Sequence, residues 1–124
     1  MNIGFLGLGK LGLPVSLAVE NKGHRIFGYD ISKQTLDDIR NRKIRYREEW
    51  VDKYLPNTKL EINDIDQLVK NSEIIFVPIQ TPHDPQYEGV TRIPTKRIDF
   101  DYTYLKSGIK DLSGAIEKNN EDKV

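Results

Sequence analysis

Asn2-Ile3-Gly4-Phe5-Leu6-Gly7-Leu8-Gly9-Lys10-Leu11-Gly12 decides the fold. Asn2 to Leu6 form a short apolar run that stops at glycines, the pattern of a buried strand in a parallel sheet. Gly7 to Gly12 then read G-x-G-x-x-G. A helical pattern follows from about Lys10 to Asn21: Leu11, Val15 and Ala18 fall at helical spacing with Val19 beside them, and Lys22-Gly23 marks the end. Pro14 sits in the first turn, where its missing N–H has no intrahelical partner to lose. Alone the glycine string is weak, because glycines cluster in turns. Its context makes it specific: a strand before, a helix after, and an acid, Asp30, closing the next strand 30 − 12 = 18 residues beyond Gly12. Gly7 permits the tight turn, Gly9 lets a pyrophosphate approach the backbone, and Gly12 lets the helix pack on the strand. The free N–H groups and the dipole at the helix N-terminus favour that anion.

Outward from this motif the chain alternates. Arg25 to Asp30 read as a second strand. Ser32 is the N-cap of a helix over about Lys33 to Arg42, with Leu36 and Ile39 on its buried side. Lys43 to Asn57 are charged and aromatic; Tyr46, Trp50 and Tyr54 step by four, so one helical face can carry all three, as packing. Lys59 to Ile62 read as a weak third strand. Asp64 and Gln67 are spaced like a capping box for a helix through Lys70. Glu73 to Val77 are the strongest strand and show no alternation, so both faces are expected to be buried. His83 to Phe100 form a long loop of the kind that is often functional. Leu105, Ile109, Leu112 and Ile116 give a final helix, about Tyr102 to Lys118, a buried stripe. The order β-α-β-α-β-α-β-α implies an α/β fold, a Rossmann-type doubly wound parallel sheet with strands in the order 3-2-1-4.

Composition removes other classes. The chain has 124 residues, one domain at most, and 19 basic against 19 acidic residues, so its net charge is zero. No nucleic-acid partner is expected, since that needs a basic face. No apolar run approaches the roughly 20 residues of a membrane helix. Met1 to Phe5 lack a basic n-region and a cleavage site, so no signal peptide is expected and the location is cytoplasmic. Cysteine is absent, which removes disulfides, cysteine-based zinc sites and a cysteine nucleophile from these residues.

Asp30 selects the cofactor. A carboxylate there accepts from both adenine-ribose hydroxyls and repels a 2′-phosphate, so the reading is NAD rather than NADP; Ile31 and Ser32 bring no compensating charge, although Lys33 is near. In this fold the ligand crevice lies at the carboxyl ends of the strands where the order reverses, between the first and fourth. The loop Pro78-Ile79-Gln80-Thr81-Pro82 therefore flanks the nicotinamide side. Thr81 is either a hydroxyl for the cofactor or a turn residue before Pro82. His24 lies at the far end of strand two and is structural. His83 is better placed, but no substrate proton is apparent for it, and loop capping is the plainer role. Asp84, Tyr87, Glu88, Arg92 and Lys96 either meet a substrate or make a solvated loop.

The residues Ile3 to Pro14, Gly28-Tyr29-Asp30-Ile31 and Phe76-Val77 through Gln80-Thr81-Pro82 resemble the N-terminal domain of the UDP-glucose/GDP-mannose (nucleotide-sugar) dehydrogenase family. His83-Asp84-Pro85 to Arg92 and Asp99 to Tyr102 resemble a subgroup of it. The resemblance covers nearly the whole chain. It implies an oxidoreductase that converts the C6 alcohol of a nucleotide sugar to a carboxylate with two NAD in succession, in polysaccharide biosynthesis, as a homodimer at full length. By this resemblance Gly7, Gly9, Lys10, Leu11, Gly12, Asp30, Ile31 and Thr81 bind NAD. The family often has a lysine five residues beyond the acid; here that position is Thr35. Its usual Glu-Pro-Gly turn is replaced around Glu48-Glu49 by Trp50 and Val51. The family's catalytic cysteine, helper lysine and sugar-binding domain follow later in sequence than residue 124, so no catalytic residue is assigned here. The expectation is residues 1–124 as an NAD-binding domain, truncated before strand five, binding NAD weakly and turning over nothing. The rivals are a stand-alone NAD(H)-sensing module and a fragment of a hydroxyacid-type NAD dehydrogenase. An exposed fourth strand would also favour association of the isolated chain.

Overall fold

The computed structural model describes residues 1–87 and 95–119. Glu88 and Arg92 of the long loop, and the final Asp122-Lys123-Val124, lie outside those residues. The elements are β1 (Asn2–Leu6), α1 (Gly12–Glu20), β2 (Arg25–Tyr29), α2 (Lys33–Arg40), α3 (Glu49–Tyr54), β3 (Glu61–Ile62), α4 (Ile65–Asn71), β4 (Ile74–Phe76) and α5 (Thr103–Asn119). Single 3₁₀ turns cover Leu55–Asn57 and Pro85–Tyr87.

The four strands are parallel in the order β3-β2-β1-β4, as the sequence predicts. Alternate strand residues feed two layers of core. Ile3, Phe5 and Ile26 join Leu13 and Leu17 of α1, Ile39 of α2, and Val51 and Leu55 beyond it on one face. Leu6 and Phe27 join Leu68 of α4, with Ile75 and Leu112 packed against them, on the other. Each large side chain buried this way contributes about 1.5–3 kcal/mol.

The helix starts follow from capping chemistry. Ser32 Oγ accepts from the Thr35 N–H at 3.2 Å, and Asp64 Oδ1 accepts from the Gln67 N–H at 2.8 Å. After α1 the chain turns through Gly23 at φ +91°, a left-handed conformation that glycine adopts without strain.

Three expectations are corrected. β4 is not buried on both faces: Phe76 is 47% exposed, because β4 is the edge of this sheet and no described residue covers one of its faces there. Phe76 instead stacks on Phe5, ring centroids 5.3 Å apart. The α5 stripe is only partly buried: Leu105, Leu112 and Ile116 are half-buried, with Leu112 packed on the core, while Ile109 is exposed and the fully buried residue is Ala115, whose small side chain lets α5 lie close on α4. The aromatic face of the Tyr46 stretch is split. Tyr46 precedes α3, while Trp50 and Tyr54 stack at 5.0 Å with Trp50 half exposed.

Two local features give predictions. Ser72 Oγ is buried without a hydrogen-bond partner, and a Cβ at Gly4 would lie 2.5 Å from it. An orphaned buried hydroxyl costs about 1–3 kcal/mol. Ser72→Ala is therefore expected to raise the melting temperature by about 4 °C for each kcal/mol recovered; calorimetry checks it, and a fall would mean the hydroxyl is bonded in solution. At the far end of α5, Lys118 Nζ pairs with Asp66 Oδ2 on α4 at 2.5 Å. The hydrogen bond from Lys118 and its charge hold the Asp66 carboxyl below the ordinary range. A lowered folded value means that the tie is fully present above the ordinary aspartate pKa of about 3.9 and is lost as pH falls through the folded value. Asp66→Asn at neutral pH is expected to reproduce the acid state, with faster amide exchange in the last turn of α5 and no change elsewhere.

Candidate cofactor-binding site

The site is built where β1 meets its two neighbours. β1 lies between β2 and β4, so the loops leaving β1 and β4 open on either side of the point where strand order reverses. They touch. A Cβ at Gly7 would lie 3.2 Å from the Pro78 carbonyl oxygen, and one at Gly12 would lie 2.9 Å from Pro78 Cγ. On its other side the second loop lies under α5, where a Cβ at Gly108 would sit 2.2 Å from Ile79 Cδ1. Pro78 and Ile79 are thus held between the helix that follows the glycine loop and the helix that closes the chain.

The glycine loop is shaped from within. Gly7 has φ +117°, where an L side chain is strained. Its N–H donates to the Tyr29 carbonyl at 2.8 Å, extending the β1–β2 pairing by one bond. Leu8 is fully buried and fills the space that Gly28 leaves: a Cβ on residue 28 would lie 2.7 Å from Leu8 Cδ1. Gly12 brings the helix onto the loop, because a Cβ there would lie 2.0 Å from the Gly7 carbonyl oxygen. Gly9 differs from all of these. It is exposed and a Cβ on it would meet no protein atom within 4 Å, so the space beside its backbone is open. Among the described residues, the N–H groups of Gly9, Lys10 and Leu11 have no hydrogen-bond acceptor in the chain. Three free donors beside an open approach, ahead of a helix N-terminus, make an anion cradle.

Asp30 stands beside it at the end of β2. Its Oδ2 accepts from the Leu8 N–H at 2.7 Å and its Oδ1 from the Ser32 N–H at 2.8 Å. Each carboxylate oxygen has about two acceptor sites, so each keeps one for a ligand hydroxyl. Ile31 next to it is 84% exposed, and Leu11 is 66% exposed across the loop. Apolar side chains left in water at the rim of a polar cradle suit the flat face of a base. Lys10 extends over the Tyr46 ring, 6.0 Å from its centroid, and the Tyr46 hydroxyl is buried without a partner. Burial, and then the charge of Glu48, push the Tyr46 phenol above its ordinary pKa. The phenol therefore stays neutral at neutral pH.

Thr81 is half-buried in the loop after β4. The far end of the long loop returns to it: the Asp101 N–H donates to the Pro82 carbonyl at 2.7 Å. His83 sets its ring edge against Phe100 at 6.4 Å. The Tyr87 hydroxyl donates to the Lys96 carbonyl. Asp84 Oδ1 is taken up by the Gln86 N–H at 3.0 Å. His24 lies at the opposite end of β2 from Asp30, with Nδ1 buried and unpartnered, away from the cradle. The Thr35 N–H caps α2 through Ser32. Sequence reasoning missed Leu8 and Pro78, which fix the loop without presenting chemistry. Leu8 was visible only as one of the variable positions of the glycine string.

This arrangement fits a dinucleotide, and nearly all of the sequence matches one group of dehydrogenases. Residues 1–123 match the UDP-glucose/GDP-mannose dehydrogenase family, NAD binding domain. The chain belongs to that family. It is 34% identical over 83 residues to the protein CapL of Staphylococcus aureus, which covers 67% of this chain and 19% of CapL. It is 25% identical over 122 residues to the UDP-N-acetyl-D-mannosamine dehydrogenase of Pyrococcus horikoshii, covering 95% of this chain and 26% of that protein. The fold superposes on a crystal structure of a GDP-mannose dehydrogenase from Pseudomonas aeruginosa with a TM-score of 0.78, at 22% identity, over 99% of this chain and 27% of that one. The chain thus spans about a fifth to a quarter of the length of these dehydrogenases. As an NAD-binding domain of this family it takes NAD as its cofactor. Among the described residues no helix is long and apolar enough to cross a membrane.

Proposed function

We propose that this domain holds NAD for a nucleotide-sugar 6-dehydrogenase, a cytoplasmic enzyme of polysaccharide biosynthesis that oxidises the C6 alcohol of a UDP-sugar to a uronate and works as a homodimer at full length. One observation supports this most: in a chain of this family, the Asp30 carboxylate and the free N–H groups of Gly9, Lys10 and Leu11 lie side by side at the reversal of strand order. NAD supplies hydride acceptance. The residues here supply binding. Gly9, Lys10 and Leu11 receive the pyrophosphate, Gly7 and Gly12 shape their loop, Asp30 accepts from the adenine ribose, and Ile31 covers the adenine. Thr81, on the second loop, donates to the nicotinamide half.

The 124 residues contain no cysteine, so they hold no thiol to form a thioester with the oxidised sugar. The isolated chain is therefore expected to bind NAD weakly and to catalyse nothing. Titration with NADH, followed by its fluorescence, checks the first point. A saturable single-site isotherm is the expected result, and no binding at millimolar NADH contradicts the reading. Incubation with NAD and a panel of UDP-sugars and GDP-mannose checks the second. Formation of NADH by the chain alone would overturn the claim that it is inactive.

A further inference from the structure

We propose that Asp30 is a positioning residue for the phosphate cradle, beyond its contact to ribose; this rests on the NAD reading above. Its two oxygens each accept a backbone N–H of the chain itself. One holds the Leu8 N–H, 22 residues earlier in the chain, and the other the Ser32 N–H two residues later. A carboxylate that bonds backbone N–H groups makes stronger bonds than a neutral acceptor. With the Gly7 N–H on the Tyr29 carbonyl and the Leu8 side chain seated against Gly28, it anchors the first half of the glycine loop to β2. The second half, Gly9 to Leu11, is left with its donors free. A glycine-rich segment has many backbone states to lose on binding. A loop ordered in advance spares the ligand that loss, which is how preorganisation raises affinity.

The two roles of Asp30 have opposite signs. If Asp30 acts only on the ribose, removing it from a ligand without ribose hydroxyls does no harm. Removing a negative charge near an anion site would then strengthen binding. If Asp30 positions the loop, the same removal weakens binding of the pyrophosphate, because the Leu8 N–H loses its acceptor and the cradle loses its order.

The test uses the 124-residue chain, wild type and Asp30→Ala, titrated with NADH and with its 2′,3′-dideoxyadenosine analogue, which keeps the pyrophosphate and lacks both hydroxyls. The proposal expects Asp30→Ala to bind the analogue about tenfold more weakly than wild type does. Equal or tighter binding of the analogue by the variant overturns it. So does wild type that binds NADH but not the analogue, since all affinity would then pass through the diol. Wild type that binds neither overturns the NAD reading itself. A measurement on wild type alone covers a variant that fails to fold: the Leu8 amide, bonded to Asp30, should exchange slowly with solvent while those of Gly9 and Lys10 exchange fast. A Leu8 amide that exchanges as fast as its neighbours contradicts the clamp.

Discussion

Gly12→Ala is expected to destabilise the chain by about 3 kcal/mol and to abolish detectable NADH binding. The added methyl would lie 2.0 Å from the Gly7 carbonyl oxygen, 2.9 Å from the Gly7 carbonyl carbon and 2.9 Å from Pro78 Cγ. Two of those atoms are backbone, so no side-chain rotation relieves the clash. Either α1 moves off β1, pulling the buried Leu13 and Leu17 with it, or the turn at Gly7 opens. Both outcomes misplace the N–H groups that would meet the pyrophosphate. A fall in melting temperature of about 12 °C is expected at roughly 4 °C per kcal/mol. Gly114→Ala in α5 is the control: a Cβ there meets nothing within 4 Å. The same substitution there should gain up to about 1 kcal/mol from helix propensity. Opposite signs for one chemical change would tie the effect to the βα turn.

NADPH is expected to bind at least about 100-fold more weakly than NADH, a difference of about 2.7 kcal/mol. The free acceptor sites of Asp30 suit two ribose hydroxyls, and a 2′-phosphate would bring negative charge against the same carboxylate. At about 4 Å and an effective dielectric near 20, each pair of like charges costs up to about 4 kcal/mol. The two residues that follow bring no positive charge, and the first, Lys33, comes only at the start of α2: Ile31 is apolar, and Ser32 gives its N–H to Asp30 and its hydroxyl to the cap of α2. Asp30→Asn should narrow the preference to roughly tenfold by removing one charge of the pair. Parallel titrations of both cofactors check this, and comparable affinities in wild type would contradict the role given to the carboxylate.

The fold was legible where local chemistry decides. The apolar run at Asn2 to Leu6, the caps at Ser32 and Asp64, and the stop at Gly23 each depend on a few adjacent residues, and each forms as the sequence implies. What was not legible depends on which surfaces meet. The α5 pattern fixes a helix but not the depth of each position. Ala115 is deep because α4 comes close, and Ile109 is exposed because nothing described lies over it. An unbroken apolar strand reads as buried on both faces, yet Phe76 on the edge strand is half exposed.

The site divides in the same way. Gly7, Gly9, Gly12 and Asp30 are marked by spacing alone, and the structure brings them together. The fit of Leu8 against Gly28, the contact of Pro78 with the glycine loop, and the bonds from Asp30 to the Leu8 and Ser32 N–H groups join parts of the chain that no local pattern links.

The central claim is that the cofactor sits on the glycine loop with its adenine ribose at Asp30. Mapping amide chemical-shift changes in the ¹⁵N-labelled chain during NADH titration tests it most directly. The account predicts that the largest shifts fall at Leu8 to Gly12 and at Ile31 and Ser32, with smaller ones near Thr81. Saturable binding whose shifts cluster elsewhere, for example on the exposed face of α5 around Ile109, with the glycine loop unmoved, would contradict it.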